Sequence, residues 1–365
     1  MKGREITISL CMIVKDEETT IARCLDSVKG IPDEIIIVDT GSTDRTKEIL
    51  REYTDQIFDF TWIDDFAAAR NYSFSKATME YILWLDADDI FTESDREQFL
   101  KLKKILDPHM DAVNMPYHLA FDQFGNVTFS LRRNRLLKRS RNFRWIGAVH
   151  ECIEVYGEIL NTDICVTHKG APGEEDRNLR IYENRKARGE TFSPRDLYYY
   201  ANELFSHQRI NQAIETYRKF LETGQGWLED NLDACGKLAD SFNILGEKNQ
   251  EFKYILKSFE YTTPRAEFCC RMGQYFQNLA QYDQAAFWYK LATELEKPIE
   301  SWGIMLEACW TWLPHIQLCV CYDNLRQYEL AYEHNEMARK YRPEDPQILH
   351  NKKYLEGVLG LPSKD

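Results

Sequence analysis

Residues 81–89 read Tyr81-Ile-Leu-Trp-Leu-Asp86-Ala-Asp88-Asp89, an apolar run that ends abruptly in carboxylates. The run has the length and composition of a strand buried on both faces. In extended geometry alternate residues share a face, so Asp86 and Asp88 are expected to project together from the strand's carboxyl end. Open α/β sheets hold their ligands at that end. Neighbouring anions repel unless a cation lies between them, and hard carboxylate oxygens suit Mg2+ or Mn2+. The plainer role for such acids is to cap the next helix. That helix already has a cap in prospect, because Ser94-Asp-Arg-Glu97 forms a capping box ahead of Phe99 and Leu100.

Asp39 ends a second apolar run, Glu34-Ile-Ile-Ile-Val38, and so is expected to face the same crevice as Asp86. A carboxylate there can accept hydrogen bonds from a base N–H or a ribose hydroxyl, or it can simply form the turn with Gly41. Arg70 falls on an alanine-rich helix opened by Asp64 and Asp65. It either pairs with one of those acids or aims its guanidinium at a nucleotide base or phosphate. Seven basic residues, Arg132, Arg133, Arg135, Lys138, Arg139, Arg141 and Arg144, follow in one short stretch. They suit a solvated strand face and a turn, or attraction of a diphosphate or an acidic acceptor. No G-x-G-x-x-G follows a strand and no G-x-x-x-x-G-K-[ST] occurs, which disfavours dinucleotide and P-loop chemistry.

The elements that must carry these groups follow from the hydrophobic pattern. Residues 6–14 form a first buried strand, and Ile21, Cys24, Leu25 and Val28 keep helical spacing after a cap at Thr19 or Thr20. Residues 34–38 are a second strand, residues 45–50 a helix, and residues 57–62 a short third strand. Strand alternating with helix signals an α/β fold with a largely parallel sheet. A chain of 365 residues suggests two domains. The net charge of −13 argues against nucleic acid as a partner. No apolar run reaches the length of a membrane span and no signal peptide is evident, so no integral membrane segment and a cytoplasmic location are expected. The ten cysteines contain no C-x-x-C pair and read as small buried hydrophobes with free thiols.

Four motifs occur in order: Leu10-Cys-Met-Ile-Val14-Lys-Asp-Glu17-Glu, Ile36-Ile-Val-Asp39-Thr-Gly-Ser-Thr-Asp44-Arg-Thr, Phe66-Ala-Ala-Ala-Arg70-Asn71 and Leu85-Asp86-Ala-Asp88-Asp89. Together they resemble family 2 glycosyltransferases of the GT-A fold over residues 6–170. The resemblance implies inverting transfer of a sugar from a nucleotide donor, with uridine diphosphate the usual carrier. It implies nucleotide contacts from Val14, Glu17, Asp39 and Arg70. Asp86 then touches ribose or metal, and Asp88 binds a divalent ion, Mn2+ or Mg2+, on the diphosphate. His168 ends a later strand and looks like the family's late metal-ligating histidine. Its imidazole would favour Mn2+; otherwise it bonds loop backbone.

Such a reaction needs a base to take a proton from the acceptor as it attacks the anomeric carbon. Trp145-Ile-Gly147-Ala-Val-His150-Glu151 is similar to the Gly-x-Val-His-Glu stretch of bacterial relatives that glycosylate peptides. By that resemblance Glu151 matches the family's base, with His150 its neighbour or substitute. Gly147 lets a substrate approach the backbone.

After residues 171–176 the strand patterns vanish. Met272-Gly273, Phe276, Ala285, Tyr289 and Ala292 follow tetratricopeptide spacing, and Leu318-Cys319, Tyr322, Ala331, Ala338 and Pro343 repeat it. Weaker copies centre on Leu204, Ala213 and Tyr217, and on Leu238-Ala239, Phe242 and Ile255, with an insertion between residues 298 and 312. The expected organisation is a GT-A mixed-sheet domain over 1–172, a linker or helix over 173–195, and all-α tetratricopeptide-like repeats over 196–358. Repeats of this kind bind a peptide or protein, pair two copies of the chain, or buttress the neighbouring domain. The expected activity is transfer from a UDP-sugar to a Ser, Thr or Cys side chain of a peptide or protein acceptor. A cell-envelope lipid or polysaccharide is the rival acceptor, and an inactive, repeat-based interaction scaffold the rival class.

Overall fold

The computed structural model describes residues 5–121, 127–170, 176–298 and 306–361, in two compact units, 1–191 and 192–365. The first unit is built on β1 (Ile8–Val14), whose sequence, apolar but for the buried Ser9, suits a strand covered on both faces. α1 (Ile21–Ser27) leads to β2 (Glu34–Asp39), and α2 (Thr46–Leu50) to β3 (Ile57–Asp59). α3 (Phe66–Lys76) leads to β4 (Tyr81–Trp84) and the two-residue β5 (Asp89–Ile90), followed by α4 (Glu93–Ile105). β6 (Ala112–Phe121) and β7 (Val127–Lys138) are long and antiparallel. β8 (Trp145–Ile146), β9 (Cys152–Ile153), β10 (Ile159–Asn161), β11 (Val166–His168) and α5 (Arg177–Ala187) complete the unit.

Among the described residues the main sheet runs β3-β2-β1-β4-β7-β6-β11-β5, with β10 also on β6. β1, β2, β3 and β4 are parallel, and β7 is antiparallel to β4, so the sheet is mixed as expected. Register sets the site. Val14 lies opposite Asp39, so β1 and β2 end level. β11 runs antiparallel to β5 with His168 opposite Asp89, which carries the late histidine to the acids beyond β4. β8 and β9 form a separate ribbon whose loop, 147–151, holds His150 and Glu151.

Three local expectations change. Strand geometry stops at Trp84, and the Asp89 amide donates to the Asp86 carbonyl at 3.1 Å, closing a turn over 86–89. Asp86 and Asp88 thus stand on a turn rather than on a strand, and they take different partners, Arg70 for Asp86 and His168 for Asp88. The cap of α4 is Thr92, two residues ahead of Ser94, and its hydroxyl accepts from the Asp95 amide at 3.2 Å. The basic stretch is not one solvated face. Arg132 bonds Asn114 and the Thr162 carbonyl, Arg141 pairs with Asp111, and Arg135 is wholly buried. The turn read at 122–126 lies outside the described residues.

The second unit is all helical. Helices α6 (Pro194–Ser206) and α7 (Ile210–Glu222), α8 (Leu228–Ile244) and α9 (Lys248–Lys257), α10 (Ala266–Asn278) and α11 (Tyr282–Glu294), and α12 (Trp312–Asn324) and α13 (Tyr328–Tyr341) form hairpin pairs, followed by α14 (Pro346–Leu359). Each pair turns the same way. The amides of Arg209, Glu247, Gln281 and Gln327 donate to the carbonyls of Leu204, Phe242, Phe276 and Tyr322 at 2.8–2.9 Å, five residues back in every case. The residue before each donor, Gln208, Gly246, Ala280 or Arg326, takes positive φ, which is the helix-ending geometry that favours glycine. Small residues set the helix spacing: a Cβ on Gly273 would lie 2.6 Å from the Tyr289 ring. The insertion expected between 298 and 312 falls largely on 299–305, and the boundary stretch on 171–175, both outside the described residues. The cysteines are free, most of them buried. Among the described residues no helix is long and apolar enough to cross a membrane.

Candidate functional site

Strand ends, the turn after β4, helix α3 and one hairpin loop supply the polar groups. At the end of β2, Asp39 is 1% exposed. Its carboxylate accepts from the amides of Gly41 (3.1 Å) and Ser42 (3.2 Å) and pairs with Lys47 at 3.1 Å. The turn-forming role and a position at the crevice thus coexist in one side chain. Val14 ends β1 alongside, its carbonyl accepting from the Thr40 amide at 2.9 Å. Glu17 follows, its amide donating to the Thr46 hydroxyl at 2.7 Å. Burial raises the Glu17 carboxyl above its usual range, the Thr20 hydroxyl opposes this, and the charges of Asp88 and Asp86 add to the rise.

Arg70 pairs with neither Asp64 nor Asp65. Asp65 instead caps α3, accepting from the Ala68 amide at 2.8 Å, and Asp64 bonds the Trp62 indole at 3.0 Å. Helical rotation turns Arg70 inward, where it is 8% exposed. Its Nε donates to Glu151 Oε1 at 2.6 Å and its Nη2 to Asp86 Oδ1 at 2.7 Å. Trp84 and Trp145 lie against the guanidinium at 5.1 and 4.9 Å, which favours the cation further. Burial alone would raise the Asp86 carboxyl, but Arg70 and then Arg135 outweigh it and hold it below its usual range. Glu151 is thereby brought to Asp86 from 65 positions away in the chain. His150 precedes it in left-handed backbone, φ 52°, and Gly147 has φ 97°, so the loop is sharply folded.

Asp88 joins a different set. Its carboxylate lies 3.4 Å from His168 Nδ1, with Asp89 at 3.8 Å and the Tyr117 hydroxyl at 3.3 Å from the same nitrogen. The neighbouring carboxylates of Asp88 and then Asp89 push the imidazole up to about 10. Asp88, Asp89 and His168 each offer a ligand atom within 4.8 Å of the others and could hold a metal ion. Asp86, read from sequence as a second metal ligand, is outside this group because Arg70 engages it; Asp89 stands there instead. The donor set fits a divalent cation in chemistry and in space. Two carboxylates and an imidazole suit Mn2+ better than Mg2+. Asp89 Oδ1 is buried with no hydrogen-bond partner among the described residues. A Cβ on Gly170 would lie 2.2 Å from Asp88 Oδ2, so glycine alone leaves that carboxylate its place.

Two members of the site were not singled out from sequence. Asp89 was quoted with its neighbours but given no role, and Arg135 was one of seven bases. The buried Arg135 Nη1 lies 3.1 Å from Asp89 Oδ2, both side chains being 0% exposed. The signal for Asp89 is its place as the third acid of Asp86-Ala-Asp88-Asp89; nothing in the composition ranks Arg135 above its basic neighbours.

Comparison with known proteins bears on the family. The glycosyl transferase family 2 model matches residues 9–156. A TPR repeat-containing protein of Synechococcus elongatus is 30% identical over 88% of this chain and 74% of its own length. The SPbeta prophage-derived glycosyltransferase SunS of Bacillus subtilis is 29% identical over 58% of this chain and 53% of its own. The lipopolysaccharide core biosynthesis glycosyltransferase LpsC of Rhizobium meliloti is 23% identical over 43% of this chain and 60% of its own. The chain thus spans about three quarters of the first relative and little more than half of the other two. The family 2 match covers Asp39, Asp86, Asp88 and Glu151, and the first relative extends the likeness through the helical repeats: the transferase domain of this chain belongs to the family 2 glycosyltransferases, with tetratricopeptide-type repeats following it.

Proposed function

We propose that this glycosyltransferase moves a sugar from a UDP-sugar to a side chain of a peptide or protein, with inversion at the anomeric carbon and with Mn2+ or Mg2+ as cofactor. The observation that carries the reading is Arg70, whose one guanidinium holds both Asp86 and Glu151. It couples a carboxylate of the acidic turn to the carboxylate best suited to act as base. Asp39, with Val14 and Glu17 beside it, receives the nucleoside, the carboxylate accepting from the base or ribose. Asp88 and His168, with Asp89 behind them, would hold the divalent ion. When bound, that ion supplies positive charge to the departing diphosphate.

Glu151 takes the proton from the acceptor hydroxyl or thiol. The acceptor atom bonds to the anomeric carbon from the face opposite the diphosphate, the carbon–oxygen bond to UDP breaks, and UDP leaves with that electron pair. Arg70 fixes the direction of the Glu151 carboxylate, leaving its second oxygen for the incoming proton. His150, held in left-handed backbone beside Glu151, contributes to the shape of the acceptor side. A peptide acceptor is supported by the likeness of Gly147 to Glu151 to peptide-glycosylating relatives and by the helical repeats, a scaffold suited to polypeptides. The role of the Rhizobium relative in lipopolysaccharide core biosynthesis supports the other reading, a cell-envelope saccharide acceptor.

Incubation with a panel of UDP-sugars and Mn2+, measuring free UDP and the mass of candidate peptides, tests this. Metal-dependent UDP release abolished by Asp88→Ala, with a peptide mass gain of one sugar, is the expected result. Release from another nucleotide sugar only, or undiminished release in the variant, contradicts it.

A further inference from the structure

Arg135, on β7, heads the fully buried side chains of the described residues by volume. Its guanidinium carbon lies 3.9 Å from the ring centre of Trp84 and 4.4 Å from that of Tyr117, a cation held between two aromatic faces. Nη1 reaches the Trp84 carbonyl at 3.4 Å and Asp89 Oδ2 at 3.1 Å, while Nε and Nη2 have no hydrogen-bond partner among the described residues. For stability alone this is a poor use of a buried site, since an apolar pair of similar volume is often as stable as a buried ion pair.

What the pair touches explains its presence. The Asp89 oxygen that meets Arg135 also accepts from the Asp86 amide at 3.1 Å, fixing the backbone of the acidic turn. The other oxygen faces His168 Nδ1 at 3.8 Å. Tyr117, whose ring covers the guanidinium, brings its hydroxyl to the same nitrogen at 3.3 Å. Arg135 therefore reaches Asp86 through Asp89, and His168 through both Asp89 and Tyr117, without touching the crevice itself.

We propose that Arg135 is a positioning residue for glycosyl transfer: it anchors Asp89 and Tyr117 so that Asp88 and His168 are held in the arrangement that receives a divalent cation with the donor diphosphate. This rests on the metal-site reading above. A planar, forked cation is required because it must stack between two rings while meeting a carboxylate at its edge, which a lysine ammonium cannot do.

The test measures Mn2+ binding by calorimetry in the presence of UDP, alongside kcat and thermal unfolding, for wild type, Arg135→Lys and Arg135→Met. Both variants are expected to bind Mn2+ at least ten-fold more weakly and to lose at least ten-fold in kcat, with KM for the acceptor unchanged and Arg135→Lys the milder. A purely supporting role would lower the unfolding temperature and leave the Mn2+ constant of the folded protein where it was, and that result overturns the proposal. Should Arg135→Met not fold, Arg135→Lys decides on the same criterion. If wild type binds neither Mn2+ nor UDP, the metal-site reading falls and the role of Arg135 with it. If wild type binds both and the folded variants match it, Arg135 alone is misassigned.

Discussion

The Nε of Arg70 lies 2.6 Å from Oε1 of Glu151, joining a helix that precedes the acidic turn to a hairpin loop that follows it by some sixty residues. The second branch of the guanidinium is on Asp86 at 2.7 Å, so one cation sits between two carboxylates with different proposed tasks. A planar fork does this where an ammonium would meet one partner at a time.

Removing that cation has two separable consequences. Arg70→Met leaves the part-exposed Asp86 and the mostly covered Glu151 without their shared cation and is expected to cost about 1–3 kcal/mol of stability, read by chemical denaturation. Glu151→Gln keeps the shape and removes the base, so kcat should fall by about 10²–10⁴-fold with UDP affinity unchanged. A Glu151→Gln enzyme with near-normal kcat would move the base to another residue, His150 first.

Gly170 makes a narrower prediction. A methyl group there would lie 2.2 Å from Asp88 Oδ2 and 2.8 Å from the His168 ring, so Asp88 must swing away. Gly170→Ala is expected to weaken Mn2+ binding about ten-fold, a change of about 1.4 kcal/mol, with little change in unfolding temperature. Unaltered Mn2+ affinity in a titration would separate Asp88 from the cation.

Much of the first unit was legible because its strands are uninterrupted apolar runs and its acids stand at their ends. The pattern that places Asp39 after Val38 and Asp86 after Leu85 is local, and local pattern is what a sequence displays. Pairing across the sheet is not local. Nothing near residue 89 indicates that β5 meets β11 and sets His168 opposite Asp89. The expectation that Asp86 and Asp88 project from one strand assumed that the strand continues, whereas it ends at Trp84 and the two acids lie on a turn, with Arg70 on Asp86 and His168 beside Asp88. Arg135 was hidden among six other bases because its burial depends on Trp84 and Tyr117, residues brought to it by register.

In the helical unit, Ala280 ends α10 with φ 55° and joins a turn that elsewhere uses glycine, at Gly246. A left-handed alanine is strained by its Cβ, so Ala280→Gly should stabilise the protein by about 0.5–1 kcal/mol. Urea unfolding followed by circular dichroism checks this, and a loss of stability would contradict it.

His315 and His334 face each other across α12 and α13, their Nδ1 atoms 3.0 Å apart and their rings stacked. Burial, then the neighbouring His334 charge, lowers the His315 imidazole to about 4; burial also lowers His334. A lowered histidine takes up its proton later than the unfolded chain does. Stability is therefore full above the unfolded value of about 6.5 and declines as pH falls toward about 4. Unfolding temperatures measured from pH 7.5 to 5 should drop, and His315→Phe should flatten the decline. An equal decline in the variant would place its cause elsewhere.

Crystals grown with UDP and Mn2+, with anomalous scattering recorded at the manganese edge, locate the ion and the nucleotide in one experiment. An anomalous peak is expected in direct contact with the side chains of Asp88 and His168, touching the diphosphate, with the uracil beside Asp39. A peak bound away from those two side chains, or a nucleotide lodged apart from Asp39, would contradict the proposed site.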